Sequence, residues 1–439
     1  MQVDSSARGS VVRLGDHTSL ITALSSIAVV TCFIFPRIAP LVLAGAAAAL
    51  SIVYLLSSSW NAGKDRSPSR YLLRPEVPFI AWGLVACLWA ASPWDGFLKA
   101  AFLAALVLSA IVAADALPSL NASTIEAIAK GLLIGFLIGA IFICIEIATR
   151  DGIRRFVLEY FPDLERGLAK HGTFRNGVIQ KVSGAYITRA TTVYCLLWCP
   201  AILAATLYAR GFAKWLCYAA IAGSAIVIVF HPYTQSQTAQ LALLGVSVVL
   251  AVSLLAPKLG LWGVGAGFAA LVFLIVPLAL AMFAAGLHEK SDLFGSAKAR
   301  IIIWNYTAQR IMEKPILGVG TNSTRYLDEA RPKEEKVKPD NLFVVAETRA
   351  HPHNVYLQIW YELGLIGAIA FAILGLSLLR RISALPRRIM PYAVTHFAMC
   401  MAILAPTYGM WQNWFQSIVV VSTLTLIGLM APQISSSRA

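Results

Sequence analysis

Charge is what this chain has least of. Only 13% of its 439 residues are Asp, Glu, Lys or Arg, against 58% that are apolar. So little charge cannot cover a water-exposed surface of this size, which excludes an ordinary soluble enzyme. Acid is scarcer than base: 36 Lys and Arg outnumber 22 Asp and Glu, a formal net charge of +14. Cysteine is present, but not where a staple would need it. Cys32, Cys87, Cys144, Cys195, Cys199, Cys217 and Cys400 fall almost entirely inside apolar runs, so neither a disulfide framework nor a zinc site is expected. There is no internal repeat, and no pair of Gly/Pro-broken apolar runs at matching places in two halves, as many transporters have. Residues 1–17 are polar with Arg8 and Arg13 and lack a small-residue cleavage site, so no removable signal peptide is expected.

What the chain does have is long apolar runs, near 18–35, 37–57, 76–91, 95–115, 124–149, 185–209, 213–230, 234–256, 258–284, 355–380, 388–407 and 412–432. Each approaches the ~20 residues that cross a bilayer core as a helix. The expected fold is therefore all-α: a polytopic membrane protein of about twelve spans. Nine spans lie in residues 1–284, a large polar loop fills 285–354, and three spans with a tail follow in 355–439.

The charges orient these spans. With both termini inside, the inner loops carry Lys64, Arg66, Arg70 and Arg74, then Arg210 and Lys214, then Lys258, then Arg380, Arg381, Arg387 and Arg388. Most short outer loops carry none, as the positive-inside rule requires. Two outer segments depart from this. Residues 150–184 hold seven Lys and Arg, and the 285–354 loop mixes both signs. Binding a phosphate-bearing substrate accounts for basic residues there, and contact with anionic outer-leaflet lipid is the plainer account. Glu146, Arg189 and Glu362 fall toward outer ends of spans, and ionisable groups near the midplane are scarce. That pattern favours chemistry at the outer face over transport through the middle.

Within the loop, residues 297–313 read as an amphipathic helix with Arg300 and Trp304 on one face. Its Ile301–Ile303 run would face membrane or protein. The following Pro315, Gly318 and Gly320 end it in a tight turn. The turn's N–H groups, with Thr321 and Asn322, could cradle an anion, or the turn could be purely structural. Residues 325–349 are highly charged and lack periodicity. At the loop's end stand His351, His353 and Asn354. An imidazole where a polar loop meets a span is a functional candidate, although it could also serve only as a helix cap. Asn354 suits the N-cap of the span that begins beside it. Gly364 and Gly367 lie on nearly one helical face and read as close-packing positions. Tyr186, Trp304, Trp411 and Trp414 read as interfacial belt residues or sugar platforms.

His353-Asn354-x9-Gly364-x2-Gly367 after a large outer loop resembles the signature of the lipopolysaccharide O-antigen ligase family, in a superfamily shared with O-antigen polymerases and pilin O-oligosaccharyltransferases. Arg300 with Trp304, the Pro315-Ile-Leu-Gly318-x-Gly320 turn, and Arg189 at the outer start of a span are similar too. The likeness of layout covers the whole chain, and the motif matches concentrate in 298–367. It implies transfer of a polysaccharide from undecaprenyl pyrophosphate to a sugar hydroxyl of lipid A–core at the periplasmic face of the bacterial inner membrane. No metal and no other cofactor is implied, the partners besides donor and acceptor are membrane lipids, and no nucleic acid is expected. One departure stands out: Gln237 takes the place where relatives often carry an Arg.

The residue chemistry fits that implication. Breaking the bond to pyrophosphate develops negative charge, which Arg189 and Arg300 can pair as planar, permanently charged forks. Arg189 could instead be a snorkelling anchor. An acceptor hydroxyl must lose a proton, and a neutral histidine is a suitable base. His353 is expected in that role with direct attack inverting the anomeric centre, and His351 is expected to support it or replace it. Rival readings are the polymerase, the protein O-oligosaccharyltransferase and, from another class, a polysaccharide or lipid flippase.

Overall fold

The computed structural model describes residues 17–56, 74–117, 120–161, 172–175, 178–182, 184–293, 295–329 and 351–436. Nearly all of them are helical. The helices are α1 (Thr18–Ile34), α2 (Ala39–Leu56), α3 (Glu76–Val85, prolonged by a 3-10 turn Ala86–Trp89), α4 (Pro93–Ala116), α5 (Ala122–Ala148) and α6 (Gly152–Tyr160). After a short antiparallel hairpin of β1 (Gly172–Arg175) and β2 (Val178–Val182) come α7 (Ala185–Tyr208), α8 (Gly211–Phe230), α9 (Gln237–Leu255) and α10 (Pro257–Ala284). The large loop contributes α11 (Gly295–Glu313) and α12 (Thr324–Glu329), and α13 (Val355–Ser383), α14 (Met390–Leu404) and α15 (Asn413–Ser436) follow.

Apart from the short β1–β2 pair, the described residues make an all-α polytopic membrane protein, as expected. Eight of the described helices are long and apolar enough to cross a membrane, and four shorter apolar ones, Thr18–Ile34, Pro36–Ile52, Glu76–Trp89 and Met390–Leu404, complete the set read from the sequence. The charged segment 325–349 lies outside the described residues from position 330 on.

The chain forms two compact units. The first holds the described residues within Met1–Arg66, Ser109–Val248 and Ser417–Ala439. Here α1 packs on α5 along Gly131, Gly135 and Gly139, one every helical turn. A Cβ at these positions would come within 2.5 Å of Ser25, 2.7 Å of Val29 and 2.3 Å of Phe33. Small residues let membrane helices approach closely, and Ser26 Oγ uses that approach to donate to the Gly131 carbonyl at 3.1 Å. Beside them α7 is the most enclosed of the span-length helices.

The second unit holds the described residues within Ser67–Leu108 and Val249–Gln416. Its hub is α13, which packs against α3, α10, α11 and α14. Gly375 of α13 gives room to the Phe268 ring of α10, and Trp360 donates its indole N–H to the Val272 carbonyl at 2.7 Å. At the other end of α3, Arg381 reaches Glu76 at 3.3 Å.

The expected 355–380 span is not one straight helix. Gly364 sits at φ 65°, ψ −165° and splits α13 into a short leading helix and a longer one. This corrects the reading of Gly364 and Gly367 as two positions on one helical face. The break also has a consequence inside the helix: a Cβ on Gly367 would meet the Leu363 side chain at 2.2 Å. The longer part, from 365 to Ser383, spans about 28 Å at 1.5 Å per residue, close to the thickness of a hydrocarbon core.

Candidate functional site

A helix broken in apolar surroundings must give its freed backbone groups new partners. The expected turn after α11 supplies them. Val319 and Gly320 donate their N–H groups to the carbonyls of Tyr361 and Glu362, each at 2.9 Å. Leu365 and Ile366 donate back to the carbonyls of Pro315 (2.8 Å) and Ile316 (3.5 Å). The Leu363 carbonyl takes the indole N–H of Trp82 at 2.8 Å. The loop thus enters the break as a short strand-like ladder. Only glycine fits at the crossing, because a Cβ on Gly318 would lie 2.5 Å from Glu362 and a Cβ on Gly320 2.5 Å from Ala90. Both glycines also have positive φ, 69° and 97°.

The same turn does hold an acid, and it is the chain's own. Glu362 is fully buried. Its carboxylate accepts the Asn322 N–H at 2.8 Å, the Thr324 hydroxyl at 2.5 Å and the Thr324 N–H at 3.3 Å. Gln358 Nε2 adds a fourth bond at 3.1 Å, and the Trp411 indole N–H adds a fifth. The turn's donors are therefore used inside the protein, as in the structural alternative: the N–H of Thr321 goes to the Ala86 carbonyl and its hydroxyl to that of Gly83. A buried acid needs its acceptor oxygens satisfied, and both oxygens of Glu362 are. Trp411 is correspondingly a buried donor and not a belt residue, and Trp414 is also buried, its indole N–H on Gln412.

Glu362 ties this turn to the segment that carries the histidines' partners. Gln358, held by Glu362, accepts the Met410 N–H at 2.8 Å. Next to it, Gly409 leaves room for the His351 ring, whose Cγ would be 2.8 Å from a Cβ there. Two residues earlier, the Thr407 carbonyl lies 3.0 Å from His353 Nδ1. A carbonyl only accepts, so that bond requires the His353 proton on Nδ1 and puts the neutral ring's lone pair on Nε2.

Local structure fixes His353 from its other sides. Its backbone is left-handed at φ 52°, a conformation that costs a residue with a Cβ about 1 kcal/mol. Before it, Pro352 is pinned by the Trp304 indole N–H at 3.1 Å, so α11 reaches the histidine through this contact. After it, Asn354 caps α13 as expected, accepting the Leu357 N–H at 3.1 Å. His353 is half-buried, whereas His351 is buried with its ring 4.4 Å away. Burial, and then the neighbouring His353, push the His351 imidazole down to about 3, so it is neutral across physiological pH. His351 Nε2 has no hydrogen-bond partner among the described residues.

Among the expected site residues, His351, His353, Asn354, Trp304, Gly318, Gly320, Thr321, Asn322, Gly364 and Gly367 all belong to the second unit, as does Arg300. Arg300 stands one helical turn before Trp304, with Nη1 3.4 Å from the Ser296 carbonyl. Arg189 is half-buried in the second turn of α7, in the first unit. Sequence reasoning passed over Gln358 and Thr407, and it named Glu362 and Trp411 without placing them in this network. A carboxylate two positions before a glycine in an apolar run was the available signal, since such a charge must find donors.

The fold and this site define a polytopic membrane protein with a histidine held at the mouth of a broken span. Residues 222–372 match the model of the O-antigen ligase family, so the family resemblance read from the sequence is shown over that segment. The matched stretch contains Arg300, the glycine turn, His353, Gly364 and Gly367. A protein of Rickettsia bellii named "Putative polysaccharide ligase" is 26% identical over 374 residues, 81% of this chain and 80% of that protein. Proteins with the same description from Rickettsia conorii and Rickettsia typhi are 36% identical over 132 residues and 31% over 121. Those two matches cover 28% and 27% of this chain and 29% of each relative.

Proposed function

We propose that the protein is a polysaccharide ligase: a glycosyltransferase that joins O-antigen polysaccharide, carried on undecaprenyl pyrophosphate, to a sugar hydroxyl of lipid A–core. The reaction would take place at the periplasmic face of the bacterial inner membrane. The observation that carries this reading is the His353 ring, held with Nδ1–H on the Thr407 carbonyl and its basic nitrogen on the other side.

In the proposed step, His353 Nε2 takes the proton of the acceptor hydroxyl as its oxygen bonds to the anomeric carbon. The bond from that carbon to pyrophosphate breaks, and the electron pair leaves with the lipid pyrophosphate. Attack opposite the leaving group inverts the anomeric configuration. Arg300 and Arg189 are proposed to pair with the charge that develops on the phosphates. The proton on His353 then passes to solvent. No metal or other cofactor is needed in this scheme.

Two observations support it. The family model whose segment spans His353 and Arg300 is that of O-antigen ligase. The segments gathered at the site, 86–91, 315–324, 351–364 and 407–411, are those that the basic-loop topology assigns to the outer side. The reading is tested by purified protein with lipid-linked polysaccharide and lipid A–core. Product is expected from the wild-type protein, and Arg300→Ala should raise the donor KM; donor dependence unchanged in that variant removes Arg300 from the phosphate role.

A further inference from the structure

Helix α6 begins just past the end of the span α5, Gly152 following Ala148 by four positions. Its side chains fall on three faces. Arg154 and Leu158, one turn apart, are buried: Leu158 packs with Val182 and Tyr186, and the Arg154 guanidinium lies 4.0 Å from the Tyr186 ring centroid. Ile153, Phe156 and Tyr160, at i, i+3 and i+7, are 37%, 53% and 63% exposed. The Phe156 ring is 4.8 Å from that of Tyr160 and 6.2 Å from that of the exposed Phe161. Arg155 and Glu159 take the third face.

An exposed apolar stripe beside a polar one, on a short helix joined to a span, is the pattern of a helix lying in the plane of a membrane surface. The span before it continues the same character. Ile134, Ile138, Ile141 and Ile145 of α5 are exposed at helical spacing up to its last turn, as lipid-facing residues are. The junction is held firmly. The Asp151 N–H donates to the Glu146 carbonyl at 2.7 Å, the Asp151 carboxylate accepts the Tyr233 hydroxyl at 2.6 Å, and Glu146 accepts the Arg154 N–H at 3.1 Å. On its inner side α6 grips Tyr186, which lies in the first turn of α7, one turn before Arg189.

We propose that α6 is an interfacial helix, its Ile153, Phe156 and Tyr160 face immersed in the outer lipid leaflet, and that it sets the depth of Arg189 at the level of lipid phosphates. Such helices sit about 5–10 Å into the boundary between headgroups and acyl chains. A pyrophosphate anchored by its own lipid chain lies at that depth. The occupant of the apolar face is the lipid monolayer, into which the exposed stripe of α5 leads. The depth role rests on the pyrophosphate contact proposed for Arg189; the immersion does not.

The test uses the full chain in phosphatidylcholine nanodiscs with and without a nitroxide lipid. Phe156→Cys and Glu159→Cys variants carry an environment-sensitive fluorophore, and the label signal of the unsubstituted protein is subtracted. The Phe156→Cys label should be blue-shifted and quenched about twofold or more beyond the Glu159→Cys label. Equal quenching at both positions would leave the face to water or a protein partner and overturn the immersion, whatever the activity. In transfer assays, Phe156→Ser with Tyr160→Ser should raise the donor KM severalfold and leave kcat nearly unchanged. A donor KM unchanged in that variant overturns the depth role while transfer by the wild-type protein stands.

Discussion

Gly318 and Gly364 lie backbone to backbone: a Cβ built on either would stand 2.7 Å from the amide nitrogen of the other. Both have positive φ, 69° and 65°. One belongs to the turn after α11 and the other to the break in α13, so two glycine motifs that are separate in sequence are halves of one crossing. The crossing ends the leading helix of α13 and presents the Glu362 carboxylate to the turn. From Glu362 the hydrogen bonds run through Gln358 and Trp411 to the 407–411 segment that holds His353.

The first prediction concerns this crossing. Alanine at Gly318 or Gly364 adds a strained φ to an unavoidable backbone clash, and each should cost about 2–4 kcal/mol. Thermal unfolding in detergent checks it. Gly223→Ala is the control, because nothing lies within 4 Å of a Cβ there. Equal melting temperatures for Gly364→Ala and Gly223→Ala would contradict the crossing.

Glu362→Gln replaces a carboxylate that accepts five bonds with an amide that has one oxygen and two donors of its own. One set of donors, Asn322 with Trp411 or Thr324 with Gln358, then faces an NH2 group in a buried site, at a cost of about 1–3 kcal/mol. Because the 407–411 segment loosens with them, kcat should fall about tenfold or more, with a smaller change in donor KM. A variant with wild-type kcat would separate Glu362 from the positioning of His353.

His351 yields a stability prediction with a definite sign. Its folded-state pKa of about 3 lies below the ordinary 6.5, so between these values the unfolded chain binds more protons than the folded one. The stability it contributes is complete above pH 6.5 and is lost as pH falls toward 3. His351→Phe should flatten the fall in melting temperature between pH 6.5 and 4. A wild-type slope in that variant would show that the buried imidazole is not what acid attacks.

How far the sequence could be read depended on the length scale of the physics. All twelve apolar runs correspond to described helices, because crossing hydrocarbon demands a length and composition that show in one dimension. The Asn354 cap was legible for a similar reason, since capping is decided within four residues. The break at Gly364 was not. A lone glycine in an apolar run looks the same whether a helix packs on it or a loop enters there, and only Gly318 and Gly320, far away in sequence, decide between the two. The acid in the glycine turn was missed likewise: the turn's donors were recognised, but Glu362 arrives from another element.

A strain-level outcome follows from the proposed reaction. Deletion of the gene should leave lipid A–core without any O-antigen while the lipid-linked polymer accumulates. Core capped with a single repeat would point to a polymerase instead, and unchanged lipopolysaccharide to a protein O-oligosaccharyltransferase. Transfer should also persist in excess EDTA, and a requirement for added divalent metal would contradict the metal-free scheme.

The central claim is that His353 is the base that deprotonates the acceptor. The most direct measurement is single-turnover transfer by purified His353→Ala, with donor binding and melting temperature measured on the same preparation. The rate should fall about 10²–10⁴-fold, the range for a lost general base, with donor affinity and fold retained. Transfer near the wild-type rate by a folded, donor-binding His353→Ala protein would contradict the mechanism.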